Sequence, residues 1–136
     1  MIAAAIALWL ATELSGAVLV LGFFKRGGMG DTSLDSIYPA ALFANFSLGS
    51  ATIVPLACAQ ITGLRSLAVA AFVQFAAVVA IGTVLALPWH RARRAGHPTP
   101  RGGGHPAFFY PGVVEAAHGG FAWLTAAAAG IVAFRG

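Results

Sequence analysis

Four long apolar runs divide this 136-residue chain, at about residues 2–24, 39–60, 66–87 and 111–134. About 20 apolar residues are needed to cross ~30 Å of hydrocarbon. In lipid the backbone must satisfy its own hydrogen bonds, so each run is expected to be a helix. The chain is 59% hydrophobic and 9% charged, where a soluble domain carries roughly 25% charged residues. The expected fold is therefore an all-α integral membrane protein: one domain, four transmembrane helices, packed as an antiparallel bundle. The first run lacks a basic leader and outlasts a signal-peptide core, so it reads as a retained helix.

Breakers mark the ends of the runs. Lys25, Arg26 and the Gly27–Gly28 pair stop the first. Pro39 suits a first helical turn, where its missing N–H costs nothing. Pro55 lies inside the second run and should kink it. Gly63 is a natural stop, and the few residues before the third run imply a tight helical hairpin. Pro88 is expected to end the third run, with Trp89 at the interface. Aromatic Phe108, Phe109 and Tyr110 introduce the fourth, near Pro111. The Gly-, Pro-, Arg- and His-rich segment 89–107 should be irregular unless a partner orders it.

Charge sets the expected orientation. Lys25, Arg26, Arg91, Arg93, Arg94 and Arg101 fall in the first and third loops, while Arg65 and Arg135 fall at the other end. The positive-inside rule puts loops 25–38 and 89–107 in the cytoplasm and both termini outside, in a bacterial-type inner membrane. The net charge of +4 thus reflects topology, and nucleic acid is not an expected partner because no basic face alternates with aromatics. Arg91, Arg93, Arg94 and Arg101 are candidates for contact with anionic lipid head groups or an acidic partner. Cys58 is the only cysteine, which excludes an intrachain disulfide and a cysteine-based metal cluster.

Glu13 is the leading functional candidate. It is the one charge within the first run, and a carboxylate at bilayer depth usually faces a bundle interior, a partner or a water-filled path. At helical spacing Trp9, Gly16 and Ala17 share its face. A protonatable carboxyl here suits a proton-coupled carrier. The alternative is a hydrogen-bonded glutamate that fixes helix packing, against Asn45 or Gln74. Asn45, Ser47, Ser50 and Thr52 lie in the second run, and Asn45 and Thr52 can share a face. They read either as interhelical glue or as the lining of a substrate path. Small residues four apart (Ala7 with Ala11, Ala40 with Ala44, Ala76 with Ala80, Ala116 with Gly120, Ala126 with Gly130) permit close helix contacts.

Glu115 and His118 form an E-x-x-H pair on one helix face. That spacing recurs in carboxylate-bridged metal bundles, but there on two helices with further glutamates. The pair is a weak metal candidate, and the chain is expected to hold no metal. Of His90, His97, His105 and His118, only His118 lies clearly within a run, so no haem is expected on this chain alone. Haem or quinone at a subunit interface stays open. Gly102-Gly103-Gly104 lacks the context of a phosphate loop.

Two partial resemblances bear on function. Thr12-Glu13-Leu14-Ser15-Gly16 resembles the first helix of small multidrug-resistance transporters, four-helix proteins with a mid-helix glutamate. It implies a carrier role for Glu13, and it stops at the first run: Pro55, Asn45 and the long basic loop depart from that pattern. Gly30-Asp31 and Ala44-Asn45-Phe46 resemble part of the pattern of four-helix membrane glutathione and eicosanoid enzymes. The neighbouring Arg and Glu that complete their binding group are absent from this sequence.

Three functions follow. The first is a small non-catalytic accessory subunit of a larger respiratory or transport complex, from its size and sparse polar chemistry. The alternative is a homo-oligomeric proton-coupled transporter using Glu13. The third is a membrane-embedded enzyme using Glu115 and His118 as its acid–base pair.

Overall fold

The computed structural model describes residues 2–25, 39–94 and 112–135. These form five helices: α1 (Ile2–Lys25), α2 (Pro39–Ala51), α3 (Ile53–Thr62), α4 (Arg65–Arg94) and α5 (Gly112–Arg135). By length and apolarity α1, α2 with α3, α4 and α5 provide four candidate membrane spans. The 24 residues of α1 reach ~36 Å at 1.5 Å each, enough to cross the hydrocarbon. The chain is thus an all-helical, four-span membrane protein. α5 lies between α1 and α4, and α2 and α3 close the bundle against α4 and α1.

The second run divides at Thr52, which lies in a turn between α2 and α3. Pro55, in the first turn of α3, has no N–H to give the Ala51 carbonyl. The carbonyls around the break find other donors. Gly49 O accepts from Thr52 N at 3.1 Å and from the Trp9 indole at 3.0 Å. Leu48 O accepts from Thr52 Oγ1 at 2.9 Å and from Gln74 Nε2 at 3.0 Å. Side chains from α1 and α4 therefore hold the break from both sides, as irregular backbone at bilayer depth requires.

α3 ends on Gly63, whose φ of 69° is the left-handed cap conformation, with its N–H bonded to Ala59 O. Residues 63 and 64 alone then link α3 to α4, making the expected hairpin. α4 does not end at Pro88. It continues to Arg94, so the start of the segment expected to be irregular is helical. Its 30 residues reach ~45 Å, which carries His90 beyond the apolar stretch on an ordered element. The other residues of the first and third loops lie outside the described residues, Arg101, His97 and His105 among them.

The apolar core is uneven along the bundle. Towards the end bearing Arg65 and Arg135, small side chains pack in contiguous groups: Ala59, Ala68, Val132 and Ala133, then Ala5, Leu56 and Ala71. Phe75, Val79 and Ala126 form a third, beside Trp9. Gly130 lets the Phe72 ring approach, since a Cβ there would lie 3.1 Å from Phe72 Cε2. Arg65 Nε donates to Ala133 O at 3.0 Å, giving an end carbonyl of α5 a partner. Leu14, Val18 and Leu21 stay exposed along α1, as a lipid-facing surface requires. Beyond the third group, towards Lys25 and Arg94, Val20 and Phe23 are buried but the helices enclose a hollow.

Candidate functional site

The hollow is a cavity of about 270 Å³ lined by α1, α2, α4 and α5. Its wall runs from Thr12 and Glu13 at mid-helix to His90 and Glu115 at the basic end. Phe46, Phe75, Val78, Val79 and Trp123 give it an apolar lining. Against that lining stand Glu13, Asn45, His118, Glu115 and His90.

Glu13 is fixed from α2. Ser50 Oγ donates to Oε2 at 2.6 Å, at the short end of O–H···O distances. The other oxygen lies against Gly49, where a Cβ would come within 2.8 Å of Oε1. Glycine is thus required for the carboxylate to reach the α2 backbone. Trp9, one turn earlier on α1, donates to the carbonyl of the same Gly49. The face shared by Trp9 and Glu13 therefore docks on the last turn of α2, beside the break. Glu13 bonds Ser50 there, while Gln74 donates to Leu48 O.

Asn45 lines the same cavity, and its Oδ1 is buried without a donor among the described residues. Leaving such an atom unpaired costs about 1–3 kcal/mol. Its amide lies over Gly82 of α4, 3.5 Å from where a Cβ would stand. Thr52, a heptad away, is buried but turns its hydroxyl back to Leu48 O of α2.

α5 meets α1 through a buried polar seam. Thr12 and Thr125 hydroxyls lie 3.0 Å apart. Thr12 also donates to Leu8 O and Thr125 to Phe121 O, so two protons serve three contacts. One turn on, His118 Nδ1 lies 3.1 Å from Ser15 Oγ and 3.1 Å from Thr12 O. The ring rests on Gly16, where a Cβ would fall 3.1 Å from Cε1. Nearer the basic end, His90 Nε2 and Glu115 Oε1 are 3.2 Å apart, bridging α4 to α5.

Among the described residues no three His, Cys, Asp or Glu side chains gather to hold a metal ion. Arg91 and Arg94 are exposed on the last turn of α4; the side chain of Arg93 lies outside what the structure describes. Of the small-residue pairs, Ala126 and Gly130 face inward. Ala40 with Ala44, Ala76 with Ala80, and Ala116 with Gly120 face outward.

Sequence reasoning passed over Gly49, read Ser50 as interhelical glue or path lining without pairing it with Glu13, and gave Ser15 no role. A glycine at mid-span, opposite a tryptophan and a glutamate one turn apart, was the signal for the first. Compared with protein-family models, curated proteins and solved structures, the chain matches none of them, so its site is read from its own chemistry.

Proposed function

We propose that the chain is a proton-coupled membrane carrier working as a homo-oligomer. In this reading Glu13 alternates between a proton and a small, largely apolar molecule that brings at least one hydrogen-bond donor. The observation that carries it is the meeting, in one mostly apolar cavity, of Glu13 and an Asn45 oxygen that has no donor among the described residues. Two acceptors on such a wall suit a donor-bearing ligand, since small-molecule sites combine apolar walls with a few convergent polar groups. The break beside Glu13 suits the same reading, because carriers bind at interrupted helices near the midplane. Four spans are few for enclosing a path, which calls for at least a dimer. With the basic end in the cytoplasm of a bacterial-type inner membrane and both termini outside, the cavity runs from mid-bilayer towards the cytoplasmic face.

The test is thermal stabilisation of the purified protein by a panel of small amines, phenols and amides, with proton release followed in weak buffer. A binder should stabilise the wild type, release protons, and do neither in Glu13→Gln. Binding and proton release unchanged in Glu13→Gln would sink the reading.

A second reading is the accessory subunit of a larger membrane complex. The outward pairs Ala40 with Ala44, Ala76 with Ala80, and Ala116 with Gly120 support it, as surfaces that let foreign helices approach closely. Purification from native membranes in mild detergent separates the two. Stoichiometric foreign subunits favour the accessory role, and a particle of this chain alone favours the carrier.

A further inference from the structure

We infer that the cavity wall carries a proton route from the basic end of the bundle to Glu13, with His118 as its middle station. This deepens the carrier reading and rests on it. The route begins at His90 and Glu115, whose Nε2 and Oε1 atoms are 3.2 Å apart. Glu115 and His118 are three residues apart on α5, so they share a face with Cβ atoms about 5–6 Å apart. His118 lies on Gly16, and Gly16 is one turn from Glu13 on α1. All five residues line one cavity. A volume of about 270 Å³ far exceeds the ~10–15 Å³ that one water needs, so it has room for several. Water is thus able to bridge the turns that side chains do not.

The tautomer of His118 fits the task. Ser15 has one hydroxyl proton, and the carbonyls of Ala11 at 2.8 Å and Thr12 at 2.9 Å compete for it. Thr12 O only accepts, so the 3.1 Å contact requires that Nδ1 carry the ring proton. Nε2 is then the accepting nitrogen. A proton leaves the Glu115 carboxyl, joins Nε2 through water to give an imidazolium, departs from Nε2, and arrives on Glu13 Oε1. Oε2 keeps the Ser50 hydrogen bond. Each transfer breaks one O–H or N–H bond and forms one, with no redox change. Among the described side chains, the cations at this end of the bundle are Arg91 and Arg94 on α4 and Lys25 closing α1, all exposed. α2 contributes Asn45 to the wall and the Ser50 hydroxyl to Glu13, and neither α2 nor α3 carries a charged residue.

The test is a rapid pH jump on detergent-purified protein, with infrared detection of the protonated Glu13 carboxyl, the band being assigned by its loss in Glu13→Gln. His118→Gln and Glu115→Gln should each slow protonation at least tenfold while leaving its final extent within about twofold. Gly16→Ala, which pushes the ring without touching Glu13, should slow it in the same direction. If His118→Gln does not fold, Glu115→Gln is read in its place. A wild-type rate in whichever of the two folds overturns the route. A wild type with no Glu13 band at any pH would instead remove Glu13 as a proton site, and with it both the carrier reading and the route.

Discussion

At the scale of single residues, Glu13 and Gly49 act as one unit. A Gly49→Ala methyl would meet the end of a flexible side chain at 2.8 Å, so the carboxylate is what moves. We expect Gly49→Ala to fold and to lose most ligand-linked proton release, matching Glu13→Gln in the same weak-buffer assay. Ser50→Ala removes one interhelical hydrogen bond, a contact worth ~0.6 kcal/mol on average in membranes, and should weaken ligand binding without dispersing the bundle. Thr12→Val should cost under about 1 kcal/mol in a detergent unfolding titration, because Thr125 keeps its bond to Phe121 O; a loss above ~2 kcal/mol would show that the pair is essential. Glu13 was legible in the sequence because a charge stands out against an apolar run. Its partner was not. Lipid-facing and core-facing positions are equally apolar, so no amphipathic pattern says which face of α2 meets α1.

Among the elements, the four spans were legible from length alone, while their interruptions were read half correctly. Pro55 was expected to bend one helix. It parts two, because Thr52 N turns back to Gly49 O and neighbouring helices supply the remaining donors. Pro88 was expected to end a helix, and α4 passes through it. A proline removes one donor, and whether a helix survives that loss depends on neighbours that a single run does not display. That misreading hid the position of His90. Pro55→Ala should therefore act with opposite signs on two readouts. Helix propensity improves by up to ~3 kcal/mol, raising the melting temperature. Straightening α2 into α3 moves Gly49 and Ser50 away from Trp9 and Glu13, lowering ligand affinity. A rise in both would separate the break from binding.

For the whole molecule, the bundle divides into a packed half rich in alanine and a hollow half that holds nearly all the ionisable groups of the spans. A lone copy presents Ala76, Ala80, Ala116 and Gly120 outward, and a particle mass in mild detergent of at least twice 13.8 kDa is the expected result. A monomer that still binds ligand would show that the cavity is complete in one copy.

The two-residue link between α3 and α4 also bears on how the protein is made. A connection of Gly63 and Leu64 leaves no slack for one helix to wait in the membrane while its neighbour remains in the insertion machinery. The hairpin enters as a single unit, with Arg65 at its tip. Arg65 then meets α5, which is made after the hairpin, so its bond to Ala133 O closes only once that later helix has joined.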